Sequence, residues 1–79
     1  MLPDYNEAVA VNRISDEYAY ISVRPCPVCG GRWKVRMQAL LQDAQGRHYD
    51  QLDVMCSQCG ARKAFLFDIE SVFEQYPHG

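Results

Sequence analysis

All four cysteines of this 79-residue chain fall in two short hooks, Cys26-Pro27-Val28-Cys29-Gly30 and Cys56-Ser57-Gln58-Cys59-Gly60. Each hook presents two thiolates on a tight turn. Two such hooks brought face to face make a tetrahedral four-sulfur cage of the kind that Zn²⁺ favours. The residues inside the hooks support that chemistry. Backbone amides after the first cysteine can curl back toward its sulfur, and the residue that ends the curl needs positive φ, which glycine adopts without a Cβ penalty. Gly30 and Gly60 both stand at that point, and Pro27 fixes φ at the first turn position of the first hook.

Other cysteine chemistry fits less well. The N-terminus carries nothing like a secretory signal, so the reading places the chain in a reducing cytoplasm, where persistent disulfides are disfavoured. A thioredoxin-type redox pair needs a βαβ context and a single CxxC, not two matched hooks. Buried unliganded cysteines would rarely show this symmetry.

At this length an apolar core alone supplies only a few kcal/mol, so the chain is read as one domain over 1–79 that needs a staple. A structural zinc site contributes roughly 10–16 kcal/mol of apparent binding free energy, realised only on folding. No apolar run approaches the roughly 20 residues that span a bilayer. The net charge of −2 hides an asymmetry. Arg24, Arg32, Lys34, Arg36, Arg47, Arg62 and Lys63 face only Asp43, Asp50 and Asp53 in the middle of the chain, while both flanks are acidic. Because a four-thiolate zinc centre is itself anionic, cations beside the hooks can serve to compensate it. They can also serve as a nucleic-acid surface, which would use Arg32, Lys34, Arg36, Arg62 and Lys63.

Elements must bring the hooks together. Tyr18–Arg24 alternates, with Ala19, Ile21 and Val23 on one face, and Pro25 ends the run; the pattern predicts an additional N-terminal strand feeding the first hook. The segment before it, residues 1–17, is weakly patterned: Asp4 or Asn6 could cap a helix, or Ala8–Val11 could begin a strand. After the first hook, Trp33, Val35, Met37, Ala39 and Leu41 fall on one face of a predicted half-buried strand, with Lys34, Arg36 and Gln38 opposite and Leu40 the exception. Asp43-Ala44-Gln45-Gly46 reads as a type I turn, and Tyr49–Met55 returns into the second hook. Closing this hairpin apposes the hooks. Asp53 falls in cross-strand range of Arg36, which predicts a surface ion pair. Ala64–Phe67 supplies a third strand. Asp68 then caps a predicted helix over about 68–76, with Ile69, Val72, Phe73 and Tyr76 on its inner face. His48 beside the turn is read as a surface residue, since four cysteines already close a tetrahedral site.

With these residues in hand, the chain resembles the zinc ribbons. The resemblance covers about 18–67 and rests on Cys26, Cys29, Gly30, Cys56, Cys59 and Gly60. It implies a small metal-stabilised β domain: a three-stranded antiparallel sheet, an additional N-terminal strand, a short C-terminal helix and one Zn²⁺ held by Cys26, Cys29, Cys56 and Cys59. Ribbons of this kind serve in nucleic-acid enzymes, transcription and translation factors, and protein-docking modules, so fold does not specify function. Rubredoxins also use two such hooks, with iron, but usually carry the proline-containing hook second and present an acidic surface.

The functional expectation is a non-catalytic zinc-binding module that mediates protein–protein interaction. Nothing in the sequence groups a nucleophile with a base, and Asp50 and Asp53, three apart on a strand, face opposite ways. The alternatives are nucleic-acid binding through the basic ribbon face and a rubredoxin-like iron electron carrier. For a protein partner, Tyr20, Tyr49 and Tyr76 are expected as exposed anchors. A homodimer through an unprotected sheet edge is a further expectation.

Overall fold

The computed structural model describes residues 4–75. A 3₁₀ turn at Tyr5–Glu7 leads into a two-residue strand β1 (Val9–Ala10), then helix α1 (Ile14–Ser22), the long hairpin β2 (Trp33–Gln42) and β3 (His48–Cys56), strand β4 (Arg62–Asp68) and a closing 3₁₀ helix at Glu70–Gln75. The sheet order is β1-β4-β3-β2. Three antiparallel strands form as the sequence predicts, and β1 adds a fourth, parallel to β4 through Val9↔Phe67 and Ala10↔Asp68.

In the predicted strand over Tyr18–Arg24, residues Tyr18–Ser22 are instead the second half of α1, and Val23 caps its end. Its start is fixed by Asp16, whose carboxylate accepts the amides of Asn12 and Arg13 at 3.1 Å each, an arrangement that satisfies orphan donors at a helix N-terminus. Ile14, Glu17 and Ile21 then recur at helical spacing, with Glu17 and Ile21 buried. Seven alternating residues satisfy a period of two and leave a period of 3.6 equally open; the upstream cap decides between them. Val23, assigned to the inner face of the supposed strand, lies 70% exposed. Tyr20 packs edge-on against Phe65 and Phe67, with ring centroids 6.1 and 5.6 Å away, so α1 covers one face of the sheet. Val11, Leu52, Val54, Phe65, Phe67, Ile69 and Val72 fill the core beneath.

The turn forms as the residues dictate. Gly46 donates its amide to the Asp43 carbonyl at 3.0 Å, and Asp43 Oδ1 accepts the amides of Gln45 and Arg47 at 2.9 Å. The face assignment of β2 does not survive beyond its first turn of pleat. Val35 pairs with Val54 but Met37 pairs with Asp53, so Arg36 sits in a bulge and every later side chain changes face. Trp33 and Val35 lie over the core side with Cys56 and Val54; Met37 is 62% exposed on the opposite face. The bulge also removes the expected Arg36–Asp53 pair. Among the described residues the ion pairs are Arg47–Asp68 (2.7 Å) and His48–Glu70 (2.9 Å).

The predicted α-helix after Asp68 is a 3₁₀ helix. Asp68 does cap it, accepting the Glu70 amide at 3.1 Å. Ile69 and Val72, both buried, are three residues apart and joined by a Val72 N–H to Ile69 carbonyl bond of 2.9 Å, which suits three residues per turn. Tyr76 lies outside the described residues.

Candidate metal centre

The hooks are two copies of one turn. Gly30 donates to the Cys26 carbonyl at 2.8 Å, and Gly60 donates to the Cys56 carbonyl at 3.1 Å; on the return, Cys26 donates to the Gly31 carbonyl at 2.9 Å and Cys56 to the Ala61 carbonyl at 2.7 Å. Gly30 and Gly60 have φ of +78° and +79°, as their place in the hook requires. The turns are locked to each other by Ser57, whose amide and hydroxyl both donate to the Arg32 carbonyl, at 2.9 and 3.1 Å. Trp33 Nε1–H donates to the Arg24 carbonyl at 2.6 Å, which ties the segment after α1 to the first residue of β2.

All four sulfurs lie within 4.8 Å of one another. Two short approaches cross between hooks, Cys26 to Cys59 at 3.6 Å and Cys29 to Cys56 at 3.4 Å. A disulfide needs about 2.05 Å. A tetrahedron of sulfurs each about 2.3 Å from Zn²⁺ has edges of about 3.8 Å, so the arrangement fits a metal and not a bridge. Cys26 and Cys56 are buried, Cys29 and Cys59 exposed. Amides converge on the sulfurs: Gly31 on Cys29 at 3.4 Å, and Gln58 and Cys59 on Cys56 at 3.4 and 3.5 Å.

The electrostatics of Cys29, Cys56 and Cys59 make the same demand. The Cys59 amide, opposed by burial and joined by the Gln58 amide, pulls the Cys56 thiol down to about 6. The Gly31 amide pulls on Cys29 as well, yet the Cys56 sulfur and burial outweigh it and push that thiol up to about 12. At Cys59 the Ala61 amide is likewise outweighed, by burial and the neighbouring sulfurs, and its thiol is raised. The Cys56 thiolate forms readily and then resists ionisation of Cys29 and Cys59. Four thiolates this close need a cation at their centre.

One residue of the centre escaped the sequence reading. Gly31 is buried, and a Cβ there would lie 2.8 Å from the Cys56 sulfur and 3.1 Å from the Gln58 side chain. At Gly30 and Gly60 a Cβ would meet open space. Gly31 is therefore glycine for room and its neighbour for backbone conformation. The doubled glycine after Cys29 was the available signal.

The five predicted basic residues are only partly assembled. Arg36, Arg62 and Lys63 line one hollow of about 450 Å³ with Met37, Asp53 and Val54. Lys34 and Arg62 flank Met55 in one row of the sheet. The next row, Val35-Val54-Lys63, projects to the other face, and the Lys63 ammonium lies 5.1 Å from the Phe65 ring. Arg32 is separate, at the crossing of the hooks. Of the predicted anchors, Tyr49 is buried, its hydroxyl donating to Asp43 at 2.9 Å and its ring 4.4 Å from Tyr5. Tyr20 is half-buried against the core. His48 is half-buried at the far end of β3, stacked on Phe73 at 3.6 Å and bonded to Glu70, and takes no part in the cage.

No protein-family model, curated protein or solved structure matches this chain. No helix among the described residues is long and apolar enough to cross a membrane.

Proposed function

We propose that the chain is a zinc-ribbon-like docking module in which one Zn²⁺, bound by Cys26, Cys29, Cys56 and Cys59, is structural and the surrounding surface binds another protein. The observation that carries this reading is the convergence of four sulfurs from two interlocked hooks. Four protein ligands close a tetrahedral site and leave no position for a substrate or an activated water, so the metal holds the hooks and performs no reaction. A protein partner is favoured by the two sheet edges that no strand among the described residues pairs and by the division of the basic residues between its faces. Cobalt substitution tests the metal half. A tetrahedral four-thiolate spectrum at one equivalent supports it, and an octahedral spectrum overturns it.

A second reading, nucleic-acid binding, is favoured by the hollow that gathers Arg36, Arg62 and Lys63. Five phosphate contacts, adding Arg32 and Lys34, would make affinity for a single-stranded oligonucleotide fall roughly a hundredfold between about 50 and 200 mM salt. Weak binding without that slope supports the protein-docking reading. The iron electron carrier would use the same four sulfurs, and it is separated from both by the metal the protein carries.

A further inference from the structure

The two outer edges of the sheet are not equivalent. β2 carries Lys34 and the bulge at Arg36, the devices that keep an edge from pairing. β4 pairs with β3 in unbroken register from Arg62 to Asp68, and β1 covers its outer side only at Phe67 and Asp68. The Asp68 carbonyl faces that outer side, where it accepts the Val11 amide at 3.2 Å, whereas Ile69 donates inward to the His48 carbonyl. Backbone groups alternate along a strand, so the N–H and C=O of Ala64 and Arg62 also point outward. No strand among the described residues pairs with them.

Beside this open edge lies a groove of about 540 Å³ with a wall on each face of the sheet. On the core face stand Tyr20, Arg24, Lys63 and Phe65. The Arg24 guanidinium lies 3.4 Å over the Tyr20 ring, and neither Arg24 nor Lys63 has a carboxylate partner among the described residues. Tyr5 rests on Tyr49 on the other face, so Asp4 and Glu7 supply acidic groups there. The groove is positive and aromatic on one side, negative on the other.

We propose that the free edge of β4 is a strand-addition site for an extended segment of another protein, one whose side chains alternate between acidic or apolar and basic. Five residues, Arg62–Leu66, offer about 17 Å of edge. Main-chain hydrogen bonds hold such a peptide, and the alternation of its side chains selects its register. Acidic and apolar residues meet Arg24, Lys63 and Phe65, while basic residues meet Asp4 and Glu7. This proposal rests on the protein-docking reading above and gives it a place and a ligand chemistry.

The test is an NMR titration of the zinc-loaded protein with acetyl-VKEKETV-amide, and with acetyl-VKKEETV-amide, which has the same composition but mixes the charges on both faces. The alternating peptide shifts the amides of Arg62–Leu66 and Val9, slows exchange at Ala64, and binds about tenfold tighter than the control, two exposed ion pairs' worth. Ala64→Pro removes an outward donor without touching the β3 ladder and weakens binding about tenfold. If that variant fails to fold, Glu7→Lys replaces it and weakens binding about fivefold. Shifts confined to β2 overturn the β4 site and leave protein docking standing. Equal binding of the two peptides, or no shift at millimolar concentration, also overturns the site. If a single-stranded oligonucleotide then moves Lys34, Arg36 and Arg62 instead, the docking reading falls with it.

Discussion

The two ends of β3 are held by different physics. At its start, His48 stacks on Phe73 and its amide donates to Glu70 at 2.7 Å, while Tyr49 is clamped between Tyr5 and Asp43. Fully buried Phe67, Leu52 and Ile69 lie close behind. Its last residue, Cys56, enters a pair of glycine-ended loops whose other side chains, Val28, Cys29, Gln58 and Cys59, are exposed. The turn end is closed by aromatic packing and by carboxylates that accept backbone amides. The cage end is closed by four sulfurs, whatever cation they share, and the two Ser57 bonds to the Arg32 carbonyl. A sheet of this size can secure one end with side chains and leave the other to a metal.

The largest expected effect breaks that division directly. Removing the metal with a strong chelator forfeits stabilisation on the order of 10 kcal/mol, and amide-exchange protection is lost first around 26–33 and 55–62. Protection at Tyr49 and Phe67 persists to higher chelator concentration if the ends are separable, and vanishes together with it if they form one cooperative unit. Next in size is the core near the turn end. Phe67→Ala removes the largest fully buried side chain and costs about 3–5 kcal/mol, read from urea unfolding of the metal-loaded protein. It leaves zinc affinity close to that of the parent.

Glycine substitutions sharpen the contrast within the cage end. Gly60→Ala places a Cβ in open space but at φ +79°, a conformational cost of about 1–2 kcal/mol. Gly31→Ala drives a Cβ against the Cys56 sulfur and Gln58, so its effect falls on the metal. Zinc affinity in a chelator competition drops more than about tenfold for Gly31→Ala, ~1.4 kcal/mol, and less for Gly60→Ala.

The smallest effect belongs to the turn end and to acid. The amide and ring of His48 hold the Glu70 carboxyl below its ordinary value. Burial alone would raise Asp43, but the Arg47 amide, Tyr49 hydroxyl and Gln45 amide hold it down as well. Carboxyls depressed in the folded state stabilise above their unfolded values, near 4, and that contribution disappears as pH falls through the folded values. Amide shifts of the turn therefore titrate below about pH 4, and Glu70→Gln flattens the acid limb of the stability profile.

The legibility of the fold follows the same division. The hooks, their glycines and the 43–46 turn are local patterns whose spacing alone specifies backbone conformation, and all were readable. So were the three antiparallel strands, because closing the hairpin and apposing the hooks require the same register. What was not readable depends on groups distant in sequence or on a single inserted residue. Tyr18–Arg24 alternates well enough to pass for a strand until Asp16 is seen bonded to the amides of Asn12 and Arg13. One bulge at Arg36 reverses the faces of Met37, Ala39 and Leu41, and Leu40, apolar among the polar positions, is the residue of the pattern that hints at it. Asp50 is a further case. It is fully buried with one oxygen on Gln38 at 2.8 Å and the other without a partner among the described residues, a placement that an alternating pattern assigns to an apolar side chain. Gly31 was visible as a doubled glycine, but its reason, room for the Cys56 sulfur in the other hook, is a tertiary fact.

Native mass spectrometry of the protein as purified shows whether a metal closes the cage end. The expected result is one zinc per chain, retained under gentle ionisation and released with a shift to the higher charge states of an opened chain. A metal-free mass carrying the narrow charge distribution of a folded protein would contradict it, because the cage end would then be closed by something other than the metal.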